Sequence, residues 1–435
     1  MDRRLCSYKE VRWRSALAAA AVLALLAGCT SAQPSPFTFQ NGIGMRADGP
    51  FMSRYTDASG AIAHADRSNW FETRFGIDAF SRLDEVLKAS VSPAAPPVRP
   101  WIRAPAEPDV SYEAPANLGG GRHTLDGYLS RNPTTGLLIA QGDAILAERY
   151  QYGRTDRQRM TSFSMAKTVI AMLVGIAVAE GRIRSIEDNA ADYVPELRGT
   201  EYGATPLRHL LTMSSGVKFR EDYDGADDVS ILSRRTLFAQ SPGGAAAVAP
   251  FNARIAAPGE RWYYASAETF VLAVVLRTAT GKSVADYFAD RIWRHLGTED
   301  VATWQVDGSG QEVGYMGFNA TLRDYARLGM MMATGGRVGD RQVVPAAWIA
   351  DMTRSHFSGA QTGRWYGYGY QTWIFPDNSG AFALLGVRGQ VLYVDPARRL
   401  VLVHTAVRPS SRDPGGAETV ALWFALRGRI PKVNG

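Results

Sequence analysis

The sequence predicts an α/β (α+β) fold: an antiparallel sheet formed from both chain ends, flanked by helices, plus a helical lobe between the strand-rich ends. Three observations predict it. Gly136-Leu137-Leu138-Ile139-Ala140-Gln141 and Ala144-Ile145-Leu146-Ala147-Glu148-Arg149-Tyr150 are strand-like runs joined by a tight Gly142-Asp143 turn. Near the other end, Gly389-Gln390-Val391-Leu392-Tyr393-Val394-Asp395 and Leu400-Val401-Leu402-Val403-His404-Thr405 flank Pro396-Ala397-Arg398-Arg399 as a second hairpin, and a last apolar-faced helix covers residues 418–426. The long middle has a helical pattern. Its first helix, residues 165–179, contains one charged residue, Lys167, so nearly every face is apolar and the helix is expected to be buried. The roughly 320 residues from Leu118 onward suffice for one large core plus a lobe, with the site at the seam.

Taken in order, residues 1–28 read as a lipoprotein signal peptide. Arg3, Arg4, Lys9, Arg12 and Arg14 make a basic leader, residues 16–26 are an apolar run too short to span a bilayer comfortably, and Leu26-Ala27-Gly28-Cys29 follows. That tetrapeptide resembles a bacterial lipobox, which implies cleavage before Cys29 and acylation of its thiol. An ordinary secretory signal cut near Ala32 is the alternative. Both readings export the chain, and the first places it in the periplasm, anchored to a membrane through Cys29.

Cys6 and Cys29 are the two cysteines. One leaves with the leader and the other takes lipid, so no disulfide or thiol chemistry is expected in the folded part. Six histidines without a clustered Cys/His/carboxylate pattern argue against a metal site, and no cofactor is expected. About half of the formal charge of +6 lies in the leader, and no basic run suggests nucleic acid.

Residues 29–68 read as a tether, with the Pro/Ser/Gln-rich segment 31–40 letting an anchored body stand off the membrane. Residues 69–117 read as an N-terminal helix and Pro-rich strap. Asn69-Trp70-Phe71 and Phe80-Ser81-Arg82-Leu83-Asp84-Glu85-Val86-Leu87 suggest a short amphipathic helix. Residues 90–108 carry Pro93, Pro96, Pro97, Pro100, Pro105 and Pro108, and Val98, Trp101 and Ile102 between them are expected to pack on the main domain. That domain is residues 118–435.

The chemistry begins in the buried helix, which Thr161-Ser162-Phe163-Ser164-Met165-Ala166-Lys167 opens and Gly181 stops. Ser164 is three residues before Lys167, on the same face and one turn nearer the N-terminus, where free N–H groups favour a developing negative charge. Ser-x-x-Lys in this setting is a nucleophile with its base. The bare pattern also occurs by chance: Ser215-Gly216-Val217-Lys218 follows a helix end and contains glycine, so its side chains share no rigid face. About a hundred residues after Ser164, Tyr264-Ala265-Ser266 precedes an apolar helical run. A phenol there, linked to Lys167, can carry a proton from Ser164 to a leaving group. The alternative for Trp262, Tyr263 and Tyr264 is core packing.

In this order, and with the glycine-bounded Gly386-Val387-Arg388-Gly389-Gln390 before a strand, the motifs resemble the β-lactamase-related serine hydrolases. That superfamily includes class C β-lactamases, DD-peptidases and lactamase-like esterases. Within it the chain is most similar to the 6-aminohexanoate-dimer hydrolases, the nylon-oligomer amidases. Matching stretches include Leu210-Leu211-Thr212-Met213-Ser214-Ser215-Gly216, Glu221-Asp222-Tyr223, Tyr264-Ala265-Ser266-Ala267 and Arg323-Asp324-Tyr325-Ala326-Arg327-Leu328-Gly329. The resemblance runs from about Trp70 to the C-terminus and implies a β-lactamase/DD-peptidase-like fold. It implies that Ser164 attacks a carbonyl while Lys167 and Tyr264 manage its proton. Tyr223 would sit on a loop closing over substrate. Ser266 and Gly386 would border the substrate, Ser266 standing where lactamases have Asn. The backbone N–H groups of Ser164 and Val387 would form the oxyanion hole, each such donor typically worth about 3 kcal/mol in the transition state.

One departure narrows the activity. Lactamases and DD-peptidases carry Lys-Thr-Gly on the edge strand, and the corresponding residues here are Leu384-Leu385-Gly386. The cation that would meet a β-lactam or peptide carboxylate is absent there, and strand alternation leaves the direction of Arg388 open. β-Lactamase and carboxypeptidase activity are disfavoured for this reason. A Ser-His-Asp hydrolase is disfavoured too, since the histidines follow no triad motif and no Gly-x-Ser-x-Gly occurs. Two readings stay open. Tyr223, in the acidic loop 221–228, either meets substrate or simply packs, and the aromatic residues 365–373 either line an acyl pocket or pack the sheet. The expectation is a serine hydrolase acting through an acyl-enzyme on a small-molecule amide, with a carboxylesterase as the alternative. A non-catalytic envelope binding protein is the reading from another class. The sequence leaves the oligomeric state open.

Overall fold

The computed structural model describes residues 35–238 and 243–433. The expected leader and Cys29 lie outside the described residues. In chain order the main sheet contains β1 (Thr38–Gln40), β2 (Ile43–Met45), β3 (Thr134–Gln141), β4 (Ala144–Tyr150), β5 (Gly367–Tyr368), β6 (Trp373–Ile374), β7 (Phe382–Gly386), β8 (Gln390–Asp395) and β9 (Leu400–Ala406). Their spatial order is β1-β2-β4-β3-β9-β8-β7-β6-β5, and Ile102–Arg103, also on β4, brings the sheet to ten strands. β9 runs antiparallel to β3, with Leu400 opposite Gln141 and His404 opposite Leu137. The two ends of the chain therefore meet in the centre of the sheet, as their strand patterns required.

Every residue of β8 and β9 is buried, and β3 is buried from Thr134 to Ala140. Such strands read as continuous apolar runs because both faces are covered. Leu138 and Ala140 of β3 join the core shared with the helices that follow, while Leu137 and Ile139 join a second core under the last helix. Four helices frame the cores: α1 (Ala166–Ala179) and α2 (Ser266–Thr280) pack on each other, α3 (Leu322–Ala333) packs on β3, β8 and β9, and α4 (Gly416–Arg429) closes the second core. α1 is buried continuously from Ala166 to Ala177, and Gly181, at φ 68°, lies in the left-handed turn that ends it. No helix among the described residues is long and apolar enough to cross a membrane.

Three local expectations need correction. β2 and Ile102–Arg103 lie parallel to β4, so the sheet is mixed rather than wholly antiparallel. The fold also begins earlier than the expected tether boundary at residue 68. Pro36 onward belongs to the folded unit, and the Tyr55 hydroxyl, fully buried, donates to the Val407 carbonyl at 2.7 Å. Tether-like composition hid a few anchoring aromatics. The amphipathic helix expected around residues 80–87 is instead two single turns, Gly76–Ala79 and Leu83–Val86. Ser81 between them donates its hydroxyl to the Ile77 carbonyl, a local bond that competes with helix continuation.

The strap is partly as expected. Ala89–Ser92 pairs with Ala302–Gln305 in a small antiparallel sheet that also contains Phe318–Ala320 and Met160–Thr161, and Trp101 is half-buried beneath the Arg327 guanidinium. Val98 and Ile102 remain 49% and 64% exposed. Ile102 is held by its backbone against β4, which leaves its side chain outside.

Candidate active site

Met160–Thr161 feeds directly into a 3-10 turn, Phe163–Met165, that continues as α1. Ser164 is at the centre of this turn. Among residues 161–173 it alone keeps some exposure. Phe163 before it has φ 43°, a left-handed conformation that is strained for a bulky residue. Packing holds it there: the Phe163 ring lies 4.9 Å from Phe80, 5.9 Å from Phe71 and 6.4 Å from Trp70, centroid to centroid. The segment before the main domain thus fixes the turn that presents Ser164 at a helix N-terminus.

Lys167, one helical turn on, is 1% exposed. Its Nζ donates to Ser164 Oγ at 3.0 Å, to Ser266 Oγ at 3.1 Å and to the Tyr315 carbonyl at 2.8 Å. Those three acceptors match an ammonium. A neutral amine has only two N–H donors. The Tyr315 carbonyl can only accept, and Ser266 Oγ already donates its proton to Glu221 Oε1 at 2.8 Å. Both N–H groups of the neutral amine are therefore committed, and its lone pair points at Ser164. Burial pulls the Lys167 pKa from 10.5 down to about 8, against the pull of the Glu221 carboxylate. The lysine can act as a base near neutral to mildly alkaline pH.

Tyr264 is wedged among aromatics. Trp373 stacks on it at 5.6 Å, and Trp262 and Tyr368 lie 6.3 Å away. Tyr264 lines the same cleft as Ser164, and Lys167 Nζ lies 5.1 Å from its ring centre. Burial, then the Glu221 charge, raises the phenol well above its usual range, partly opposed by Ser164 and Arg364. At neutral pH Tyr264 is a protonated phenol, suited to donate.

These groups open into a cleft of about 1070 Å³, lined by Ser164, Tyr223, Tyr264, Gly386 and Val387 among others. Gly386 ends β7 beside the nucleophile turn. A Cβ on it would lie 2.3 Å from the Ser162 carbonyl oxygen, so only glycine permits this approach. The adjoining Val387 lines the same cleft as Ser164. Arg388 turns its guanidinium over the Phe71 ring at 4.4 Å and donates to Thr73 Oγ1 at 3.3 Å, which settles the direction that strand alternation left open.

Ser164, Lys167, Tyr264, Tyr223, Gly386 and Val387 are thus brought together. Ser266 differs from expectation: it is 1% exposed and lies behind Lys167 rather than on the cleft wall. It is the first residue of α2, and both of its donors meet the Glu221 carboxylate. Tyr223 has φ 61° and donates its hydroxyl to Glu221 Oε1 at 2.6 Å. Tyr223, Trp365, Tyr366 and Trp373 all line the cleft, and Tyr223 and Trp373 also pack against the hydrophobic cores.

Sequence reasoning missed Glu221 and the Tyr315 carbonyl. Glu221 adjoins Asp222 and Tyr223 in a motif already singled out, but no local signal shows its carboxylate reaching Ser266, 45 residues away. The second Ser-x-x-Lys is a bystander, with Ser215 buried against Glu268 and Lys218 exposed. None of the six histidines lines the cleft.

Comparison with known proteins agrees with this architecture. The chain is 28% identical over 396 residues to a 6-aminohexanoate-dimer hydrolase of Paenarthrobacter ureafaciens, covering 88% of this chain and 96% of that protein. A Bacillus anthracis structure assigned as a 6-aminohexanoate-dimer hydrolase superposes with a TM-score of 0.75 at 24% identity, covering 84% of this chain and 98% of that one. A family VIII carboxylesterase gives a TM-score of 0.53 at 18% identity, covering 68% and 93%. The family model described as Beta-lactamase matches residues 123–425. The fold is the β-lactamase/DD-peptidase-like one, and the chain belongs to the beta-lactamase family.

Proposed function

We propose that the protein is a serine hydrolase that cleaves short linear amides through an acyl-enzyme. The observation that carries this is the Lys167 hydrogen-bond set, which leaves a neutral amine's lone pair only Ser164 to accept from. In the first step Lys167 takes the Ser164 proton as Oγ bonds to the substrate carbonyl carbon. The Ser164 and Val387 N–H groups receive the developing oxyanion. Tyr264 gives its proton to the leaving nitrogen, the C–N bond breaks, and the lysine ammonium reprotonates the phenol. Water then attacks the acyl carbon, and its proton returns through the same groups to Ser164 as the acid leaves.

The similarity to 6-aminohexanoate-dimer hydrolases favours amides over esters, while a carboxylesterase would use the same residues. The proposed setting is the cell envelope, with lipid on Cys29 as the anchor. Turnover of the linear 6-aminohexanoate dimer is to be compared with that of a short p-nitrophenyl ester, with Ser164→Ala as control. Amide turnover is expected, with a loss of at least about 10³-fold in the variant. Ester turnover alone, lost in the same variant, would move the protein to the esterases.

A further inference from the structure

The cleft over Ser164 is lined by five arginines and three carboxylates. All three carboxylates are engaged. Glu221 takes the Tyr223 and Ser266 hydroxyls, Arg412 donates to Asp222 at 2.7 Å, and Arg408 lies 3.4 Å from Asp413. Arg388 is turned onto Phe71 and Thr73. Two arginines are left. Among the described residues, the guanidinium groups of Arg261 and Arg364 neither donate to a protein group nor pair with a carboxylate, although Arg261 lies over the Tyr263 ring at 5.9 Å.

Placement separates the two. Arg364 sits on a loop whose backbone is pinned, its N–H bonding to the Gly359 carbonyl and Thr362 Oγ1, each at 3.2 Å. Its neighbour Trp365 packs edge-on against Tyr366, Phe375 and Phe424. The loop is anchored while the Arg364 side chain stays exposed on the cleft wall. Its positive charge also acts on the Tyr264 phenol. Tyr366, two residues on, packs 6.1 Å from Trp373, which stacks on Tyr264 at 5.6 Å. In the mechanism above the Tyr264 phenol protonates the leaving nitrogen, so the loop bearing Arg364 lies on the leaving-group side. The lining includes Leu385 and no lysine, while Trp365, Trp373, Val391 and Val420 make much of the rest apolar.

We propose that Arg364 is a specificity-determining residue that binds a carboxylate carried by the leaving amine, so that the preferred substrates are amides whose leaving amine carries a carboxylate. This rests on the hydrolase reading. A guanidinium binds a carboxylate through two parallel N–H donors, and a cleft partly closed to water strengthens the pair. The fold thus supplies from a loop the cation that the edge strand lacks.

The test uses two amides with the same neutral acyl group, one releasing 6-aminohexanoate and the other 6-aminohexanamide. kcat/KM is measured for both with the wild-type protein, Arg364→Gln and Arg364→Glu. The wild-type protein is expected to favour the carboxylate substrate by about tenfold or more, mostly through KM. Arg364→Gln should bring the ratio close to one, and Arg364→Glu should invert it. Equal wild-type values, or a preference that survives both substitutions, would overturn the assignment. If neither amide nor a neutral p-nitrophenyl ester is turned over, the hydrolase reading itself fails and this assignment with it.

Discussion

Lys167→Ala is expected to lower kcat/KM on amide substrates by about 10²–10⁴-fold, the range of a positioned general base, while the protein stays folded. Nothing else near Ser164 can replace the lysine. Tyr264 is held protonated by burial, and the Glu221 carboxylate is already occupied by two hydroxyls and a backbone N–H. The fold should tolerate the loss because a buried ammonium is a burden to it. With its pKa at about 8 in the fold against 10.5 for the free group, the unfolded chain binds the proton more tightly. The resulting penalty grows as pH falls from about 10.5 to 8 and is fully present below 8, at about 3 kcal/mol. Its removal offsets the cavity and the acceptors left behind at Ser266 and Tyr315. Melting temperature and circular dichroism at pH 7 should therefore stay close to wild type. Near-normal turnover in this variant would rule out Lys167 as the base.

Glu221→Gln should change both the rate and its pH dependence. The glutamine oxygen can keep the two hydroxyl donors in the place of Oε1 or the one N–H donor in the place of Oε2, and its NH₂ cannot accept the rest. The loss of one or two buried partners corresponds to about 1–3 kcal/mol, a tenfold to hundredfold fall in kcat/KM at the optimum. The acid limb of kcat/KM reports the lysine, which must be neutral to take the Ser164 proton, and is expected near pH 8 in the wild-type protein. The Ser164 and Ser266 hydroxyls, the Tyr315 carbonyl and the Tyr264 and Tyr315 rings also face Lys167, and Glu221 is the carboxylate that holds its proton on. Its neutralisation should move the limb to lower pH. Glu221→Asp, which keeps the charge, should leave the limb closer to wild type. A limb that stays put in Glu221→Gln would show that the carboxylate does not act on the lysine.

Much of the fold was legible because burial writes itself into local pattern. Residues 136–140 and 400–403 are unbroken apolar runs because both faces are covered, and the helix after Ser164 lacks charge except where the site needs one. Ser164 and Lys167 stood out as reactive groups opening an apolar helix, whereas Tyr264, among aromatics, stood out only in combination with them and through the family resemblance. What stayed hidden depends on long-range register. β2 joins the sheet by a parallel pairing with β4, about a hundred residues later in the chain, and no periodicity in three residues predicts that. Ser266 was given the wrong neighbour for the same reason: the motif places it beside Tyr264, but only the fold of the 221–227 loop puts Glu221 against it. Phe163 is an ordinary apolar residue in the sequence, and its strained backbone appears only when Trp70, Phe71 and Phe80 close around it.

The central claim is that Ser164 is the nucleophile, and a serine-directed fluorophosphonate tests it most directly. Incubation with the folded protein followed by peptide mass analysis should show one covalent adduct on the peptide containing Ser164, with loss of turnover in step with labelling. The Ser164→Ala protein should remain unlabelled. An adduct on another serine that tracks the loss of activity, or an active protein with no adduct on Ser164, would contradict the account.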